Sequence, residues 1–290
     1  MSETLIQMTC ITKRFPGVLA LNQVDFDLRC GEVHALLGEN GAGKSTLMKI
    51  LSGVYQPDAG EIRFEGQSVS FSDPLSAQHA GITIIHQEFN LFPDLTVEEN
   101  IFIGREFCKN SRWQLDKRAQ RQAVEKILHM LNLKIAPDAR VSELTVAQQQ
   151  MVEIARAVHR NGKVLILDEP TSQLDPIAAS DFLETVRKIN RDIGTTVILT
   201  EHRLQDVIPW ADKVYVMDKG SLLTQGTPRE IGEFLKKEHH GMFLSMPVPM
   251  QIYAEVESDL PCPLTVREGR NWITQVMQKA RHDKLEQVCH

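Results

Sequence analysis

The chain of 290 residues is long enough for one large domain or two small ones, with a sizeable buried core. Its hydrophobic content of 42% and charged content of 24% are ordinary for a globular protein, and no apolar run approaches the roughly 18 residues of a membrane-spanning helix. The net charge of −6 gives no general basic field, so we expect no nucleic-acid partner.

Cysteine and histidine usage predicts no metal or disulfide framework. The five cysteines are widely spaced and form no Cys-x-x-Cys pair, which fits a reducing cytoplasm. The start, MSETLIQM, lacks the charged and apolar regions of a secretory signal, so we expect no secretion. The adjacent His239 and His240 have no carboxylate or thiol at ligand spacing, and we expect them in a solvated loop.

The segment before residue 38 is predicted to be β-structure. Short stretches of alternating hydrophobicity between Leu5 and Leu28 favour strands. Phe15 precedes Pro16-Gly17, a turn-forming pair, so its ring is expected at the edge of a loop. The ring either joins a small core cluster or stacks on a nucleotide base.

The clearest motif is GENGAGKST, which occupies residues 38–46 between the apolar run VHALL and the sequence LMKIL. This context predicts a strand, a glycine-rich turn and a helix, and the spacing G-x-x-x-x-G-K-S is that of a phosphate-binding loop. Its glycines let successive backbone N–H groups point at phosphate oxygens near the positive end of the helix. We expect Lys44 to reach the β- and γ-phosphates and the Ser45 hydroxyl to hold Mg²⁺.

The middle of the chain is predicted to be an inserted helical subdomain. After ITIIH, a buried strand that ends at Gln87, the composition turns helical as far as about Arg160. Thr145 and Gln148 have the T-x-x-Q spacing of a capping box, which marks the start of a helix. The free N–H groups at that start belong either to an ordinary capped helix or to a second anion site.

The next two strands end in charged residues. VLIL is followed by Asp168 and Glu169, and two adjacent carboxylates are costly to desolvate without a cation nearby, which favours Mg²⁺ and chemistry at this point. A helix from about residue 176 to 191 then leads to the strand TTVILT, which ends at Glu201-His202. Strands that alternate with helices predict an α/β protein whose ligand lies at the carboxyl ends of the strands, with His202 beside the phosphates.

The tail beyond about residue 230 differs from the rest, because it is rich in proline and has no clear periodicity. Thr265 and Glu268 are predicted to begin a last helix. That helix carries an apolar stripe, which we expect to serve packing rather than partner binding, and its members are Trp272, Ile273, Val276, Met277 and Ala280.

Six of these sequence features occur together in the order and spacing of an ABC transporter ATP-binding subunit, which the chain resembles over about residues 5–230. They are GENGAGKST, Gln87, LTVAQQQ, VLILDEP, the SQLD turn of residues 172–175 and His202. The resemblance implies an α/β fold: a P-loop NTPase core with a mainly parallel sheet, an N-terminal antiparallel β subdomain and an inserted α-helical subdomain at about 88–160. The ATP-binding domain is expected over 1–236, with a C-terminal extension over 237–290.

The resemblance also implies roles for individual residues. Asp168 is similar to the metal-binding carboxylate, Glu169 to the catalytic base and His202 to the switch histidine, while Gln87 resembles the residue that meets Mg²⁺ and senses a transmembrane partner. Lys44 is included among the catalytic groups. The residues that would contact nucleotide are Phe15, Gly38, Asn40, Gly41, Gly43, Lys44, Ser45, Thr46, Thr145, Ala147, Gln148 and Asp175.

The family's LSGGQ signature is altered here to LTVAQ, residues 144–148, so both glycines are lost. Thr145 keeps a hydroxyl and Ala147 keeps its amide N–H. Similar departures, and the stretch GITIIHQEFNLFPDLTVEENIFIGRE, resemble monosaccharide (ribose/galactose-type) import ATPases. From about Lys163, DEPTSQLDPIAA, GTTVILTEHRL and PLTVREGRNW resemble ATPases of energy-coupling factor importers for vitamins or transition metals. A chimaera, a divergent paralogue or a shortened tandem protein fits this difference.

The resemblance therefore implies an ATPase that uses Mg²⁺ and energises the uptake of a small solute, with a monosaccharide expected. Implied partners are transmembrane permease subunits and a second cassette, in a homodimer or heterodimer that completes each site in trans, at the cytoplasmic face of the cell membrane. Three alternatives stay open. They are an energy-coupling factor importer, an ABC ATPase that acts on ribosomes or DNA, and a regulatory module that holds ATP without splitting it.

Overall fold

The computed structural model describes residues 3–86, 90–109, 114–160, 162–201, 203–256 and 258–288, with side chains described as far as residue 279. In this part of the chain the strands are β1 Thr4–Phe15, β2 Val18–Arg29, β3 Val33–Leu37, β4 Ala59–Phe64, β5 Gln67–Val69, β6 Ile82–Ile85, β7 Val164–Asp168, β8 Thr196–Thr200, β9 Lys213–Asp218 and β10 Ser221–Gly226. The α-helices there are α1 Lys44–Leu51, α2 Pro74–Ala80, α3 Val97–Phe102, α4 Lys117–Met130, α5 Val146–His159, α6 Pro176–Ile193, α7 Leu204–Val207, α8 Pro228–Lys237, α9 Val248–Glu255 and α10 Val266–Val288.

The core is a six-stranded sheet in the order β10-β9-β3-β8-β7-β6. Its strands pair in parallel from β9 to β6, and only β10 runs antiparallel to its neighbour in this sheet. Every residue of β3, β7 and β8 is buried, since helices or the second sheet cover both faces. The carboxyl ends of β3, β7 and β8 consequently meet at one edge of the sheet.

A second sheet is antiparallel, in the order β2-β1-β4-β5, and forms the N-terminal subdomain. Its first two strands are longer than the sequence pattern indicated, because the hairpin extends to the Pro16-Gly17 turn and pairs Phe15 with Val18. Its apolar face shares a core with α1, in which Phe26 and Leu47 are buried. This core seats the helix that follows the glycine-rich loop.

The helical subdomain lies between β6 and β7 and contains α3, α4 and α5. The helical structure predicted for this part of the chain is confirmed in α4, which buries Val124 and Leu128 and packs Ile127 at the edge of the cluster. The capping box predicted for α5 is also confirmed. Gln148 N–H donates to the Thr145 hydroxyl at 3.3 Å, and Thr145 N–H donates to the Gln148 side chain at 3.0 Å.

The proline-rich tail holds more regular structure than the sequence pattern indicated, since α9 forms there with Pro249 in its first turn. At the start of α10, Glu268 N–H donates to the Thr265 hydroxyl at 3.2 Å, as predicted. The expectation of one packed stripe on α10 is wrong in part. Trp272 is buried, but Ile273 and Met277 are 37% and 54% exposed because the helix presents only one edge of the stripe to the core.

Another member of that stripe, Val276, packs at the edge of the core, and the side chain of Ala280 lies outside the described residues. The extension rests on α8 at Gly232, where Met250 and Cys262 leave no room for a side chain. Helix α2, which Asp73 caps, was also missed, because its seven residues are too few to show a period. The domain boundary at residue 236 stays a prediction. None of the described helices combines the length and hydrophobicity that crossing a membrane requires.

Candidate nucleotide-binding site

The glycine-rich loop joins the buried strand β3 to α1, and its shape depends on close backbone packing. Gly43 has φ +102°, and a Cβ there would lie 2.7 Å from the carbonyl oxygen of Ala20. A Cβ on Gly38 would lie 2.6 Å from the carbonyl oxygen of Met217. Glycine is therefore required at both positions because β2 and β9 press against the loop.

The start of α1 is open to an anion. Gly43 occupies the N-cap position, so no side chain bonds the first N–H groups of the helix, and the first turn holds no acidic residue. Unpaired N–H groups and the positive end of the helix dipole together favour a bound phosphate. The predicted contacts Asn40 and Gly41 are exposed on this loop, and Thr46 is half-buried in the first turn.

Lys44 is 5% exposed and is held inside the loop by two carbonyl groups. Its ammonium group donates to the carbonyl oxygens of Gly38 at 2.8 Å and Glu39 at 3.2 Å. Burial lowers the pKa of Lys44, while the carboxylates of Glu169 and Asp168 act in the opposite direction. A buried cation at the start of this helix is well placed to attract phosphate oxygens.

Asp168 connects the loop to the sheet. This buried residue ends β7, and its Oδ1 atom accepts hydrogen bonds from Ser45 Oγ at 3.1 Å and from Thr200 Oγ1 at 2.8 Å. Strand pairing places Thr200 opposite Asp168. The predicted pair of Ser45 and Asp168 is thus brought together across 123 residues of sequence.

Glu169 adopts a left-handed backbone conformation, with φ +50°. Its N–H group donates to the carbonyl oxygen of Thr200 at 3.1 Å and to the Thr200 hydroxyl at 2.9 Å. Such a conformation costs a non-glycine residue about 1–3 kcal/mol and is concentrated at functional sites. The strand end thus holds the Glu169 backbone in an unfavourable region that turns the chain at the site.

Two further residues of the site, Thr200 and Glu201, had no role in the sequence-based prediction. Thr200 bonds both Asp168 and Glu169, and Glu201, which is 5% exposed, accepts the N–H group of Thr171 at 3.0 Å. The available signal was their position at the end of TTVILT, a strand predicted to finish beside the phosphates. His86, which directly follows β6 beside β7, is half-buried, and burial lowers its pKa.

The remaining predicted residues lie on other elements. Phe15 is half-buried at the end of the β1–β2 hairpin, where its ring meets the Tyr55 ring edge-on at 5.3 Å. The Asp175 carboxylate caps α6 by accepting two backbone N–H groups, each at 3.0 Å. Thr145, Ala147 and Gln148 form the start of α5 in the helical subdomain. Gln87 and His202 lie outside the described residues.

The donors at this edge fit Mg²⁺. A serine hydroxyl and a carboxylate are hard oxygen ligands, and Mg²⁺ is commonly bound by one or two such groups together with substrate phosphates rather than by a cage of protein ligands. The described residues contain no group of three or more His, Cys, Asp or Glu side chains arranged around a metal position.

Comparison with known proteins gives the same result for fold and family. The chain is 41% identical over 255 residues to ribose import ATP-binding protein RbsA 1 of Burkholderia ambifaria, which covers 82% of this chain and 49% of that protein. It is 48% identical over 219 residues to a putative ribose/galactose/methyl galactoside import ATP-binding protein 2 of Burkholderia cenocepacia, which covers 76% of this chain and 43% of that protein. The chain spans less than half the length of these two relatives.

Among solved structures, cbiO1 of Clostridium perfringens, described as part of the ABC transporter complex cbiONQ, is 27% identical. The match has a TM-score of 0.70 and covers 88% of this chain and all of that one. A family model described as ABC transporter matches residues 21–172. These matches confirm the resemblance stated from the motifs and the α/β fold with its antiparallel N-terminal sheet. The chain therefore belongs to the ABC transporter family.

Proposed function

We propose that this chain is the ATP-hydrolysing subunit of a bacterial ABC importer that takes up a monosaccharide. The observation that carries the proposal is the hydrogen bond of 3.1 Å between Ser45 Oγ and Asp168 Oδ1, beside the buried Lys44. It joins the start of the phosphate-loop helix to the acidic strand end. An oxygen-ligand pair next to an open helix N-terminus suits a magnesium triphosphate.

Each group at the strand ends has a role in phosphoryl transfer to water. Lys44 and the loop N–H groups hold the phosphates, and Ser45 and Asp168 hold Mg²⁺, which supplies charge neutralisation on the phosphate oxygens when bound. Glu169 orients the attacking water or takes its proton. Gln87 as a metal ligand and His202 as a γ-phosphate contact stay predictions, since both lie outside the described residues.

The proposal includes a second cassette. In the facing arrangement that the resemblance implies, the start of α5, with Thr145, Ala147 and Gln148, completes the phosphate site of the other copy, and Asp175 lies near that contact. The exposure of the start of α5 supports such a contact, since Val146, the first residue of the helix, is 40% exposed. The permease subunits would hold the pair of cassettes at the cytoplasmic face of the membrane. The relationship to cbiO1, which is part of a transporter complex, supports such partners.

Two relatives named for ribose or galactose import, at 41% and 48% identity, support a monosaccharide as the solute. The alternative is an energy-coupling factor importer, which the stretches DEPTSQLDPIAA, GTTVILTEHRL and PLTVREGRNW resemble. The names of the two relatives favour the sugar. Copurification with the membrane partner from the native host, followed by uptake of labelled ribose and galactose against labelled transition-metal ions in proteoliposomes, distinguishes the two solute classes.

Hydrolysis is tested by Glu169→Gln, with Glu184→Gln on the exposed face of α6 as the control. We expect Glu169→Gln to abolish steady-state phosphate release, to keep Mg²⁺-ATP binding and to trap a dimer with ATP in size-exclusion chromatography. The control variant should behave like the unmodified chain. Undiminished phosphate release by Glu169→Gln would overturn the assignment of the base.

A further inference from the structure

Two charged residues of α5 grip the backbone of Asn90, in the segment that follows β6. The Glu153 Oε1 atom accepts the Asn90 N–H group at 2.9 Å, and Arg156 Nη1 donates to the Asn90 carbonyl oxygen at 2.8 Å. Glu153 and Arg156 also form an ion pair with each other, so the two side chains and the Asn90 backbone make a closed ring of hydrogen-bonded groups. Both backbone groups of one residue are thus fixed by one helix.

The ion pair of this ring is largely buried, which separates it from an ordinary surface ion pair. The side chains of Glu153 and Arg156 are only 4% and 11% exposed. Exposed ion pairs contribute little to stability, whereas a buried pair loses hydration and is kept where its geometry specifies an arrangement. Burial, followed by the charges of Arg156 and Arg105, lowers the pKa of Arg160 to about 10, and Glu153 acts in the opposite direction as the negative charge among three neighbouring arginines.

A second buried side chain fixes the next part of the segment. Asn100 is fully buried, and its Oδ1 atom accepts the Phe92 N–H group at 2.8 Å while its Nδ2 atom donates to the Phe92 carbonyl oxygen at 3.0 Å. The Phe92 side chain itself is 51% exposed. Residues 90–92 therefore form a segment that displays an aromatic ring and that is fastened to α5 at Asn90 and to α3 at Phe92.

We propose that Glu153 and Arg156 are positioning residues that make the segment at Asn90 and the start of α5 move as one unit. This inference rests on the proposed function, in which that start, at Thr145, completes the site of a facing cassette. We call Glu153 and Arg156 the clamp. Glu153 lies about 12 Å from the N-cap residue Thr145 along one unbroken helix, because eight residues at 1.5 Å each separate them. A displacement of Asn90, three residues after Gln87, is therefore transmitted to Thr145, because no flexible segment separates the clamp from the start of α5.

The test replaces the clamp and compares it with an ion pair of the same spacing elsewhere. Glu153→Ala removes the acceptor for Asn90, and Glu153→Gln keeps an acceptor but loses the charge. Arg156→Lys keeps the charge but loses the second donor arm. The control is Glu184→Ala, since Glu184 and Arg187 also stand three residues apart on a helix but are 65% and 51% exposed and 3.7 Å apart.

We expect Glu153→Ala to lower kcat for ATP hydrolysis about 10-fold with KM for ATP nearly unchanged, because misplacing a catalytic element by about 1 Å can cost about 10²-fold while the phosphate loop stays intact. Glu153→Gln should recover part of this loss, and Glu184→Ala should lose nothing. Hydrogen exchange at the Asn90 amide should be faster in Glu153→Ala than in the control, which reports directly on the clamp.

If Glu153 and Arg156 only stabilise the fold, Glu153→Ala lowers the melting temperature but leaves kcat of the folded protein equal to that of Glu184→Ala. This outcome, together with faster exchange at Asn90, overturns the inference while the proposed function stands. If the unmodified chain and its complex release no phosphate from ATP, the proposed function fails first. Should Glu153→Ala not fold, Arg156→Lys carries the same comparison, with a smaller expected fall in kcat.

Discussion

Thr200→Val tests the central geometry of the site with a change of one polar group. Thr200 is fully buried, and its hydroxyl donates to Asp168 Oδ1 at 2.8 Å and accepts the Glu169 N–H group at 2.9 Å. Valine keeps the shape of the side chain and removes the hydroxyl. Glu169 N–H retains the Thr200 carbonyl oxygen at 3.1 Å, so the main loss falls on the Asp168 carboxylate.

The magnitude follows from the kind of bond removed. A hydrogen bond to a charged group contributes about 1.5–3 kcal/mol, and at roughly 2–4 °C per kcal/mol the melting temperature should fall by roughly 3–12 °C. Because Asp168 is the proposed Mg²⁺ ligand, loss of a group that orients its carboxylate should lower the affinity for Mg²⁺ about 10–100-fold. We expect the Mg²⁺ concentration for half-maximal ATP hydrolysis to rise by that factor.

The matched control lies on the same strand. Thr196 is also buried in β8, but its hydroxyl accepts the N–H group of Gly31 at 3.0 Å, at the opposite edge of the sheet. Thr196→Val should cost about 0.5–1.5 kcal/mol, the contribution of a neutral hydrogen bond, and leave the Mg²⁺ dependence unchanged. Thr200→Ser should restore that dependence. An equal Mg²⁺ midpoint for Thr200→Val and Thr196→Val would refute the reasoning.

Three more predictions follow from local geometry. Gly43→Ala should abolish ATP binding in calorimetry because its Cβ would meet backbone at 2.7 Å, whereas Gly17→Ala, with φ +79° and open space, should cost only about 1–2 kcal/mol. Thr145→Val should lose about 0.5–2 kcal/mol and most hydrolysis, and Thr227→Val, which breaks the same capping box on α8, should lose stability alone. Burial lowers the pKa of His34, so folding resists its protonation, and stability should fall as the pH drops below about 6.5. The melting temperature of His34→Phe should therefore fall less between about pH 7 and pH 5 than that of the unmodified chain. Melting temperatures that do not change with pH in either protein would contradict this.

The sequence was sufficient for the parts of the site that local patterns encode. The loop at residues 38–46 carries its glycines at fixed spacing between a buried strand and a helix, and the capping box at Thr145 is a contact between neighbours in the chain. Buried strands that end in charged residues also showed where Asp168 would lie. Each of these features depends on residues only a few positions apart.

The contacts that sequence reasoning missed join distant parts of the chain. Nothing near Thr200 indicates that its hydroxyl lies against Asp168, because that contact arises from the pairing of β7 with β8. Likewise the bond between Asn90 and Glu153 spans 63 residues and depends on how α5 packs beside the segment after β6. Helix α9 was missed for another reason, since proline in its first turn also suggests a loop.

The loop motif alone does not determine the conformation of the site. Its two crowded glycines are pressed by the carbonyl groups of Ala20 in β2 and Met217 in β9, and the strained Glu169 is held by Thr200 in β8. Three strands from both sheets therefore fix the groups proposed to surround the phosphates. Because a shift of any one of them moves a backbone contact of the site, changes in β2, β8 or β9 should alter nucleotide binding even where they touch no nucleotide.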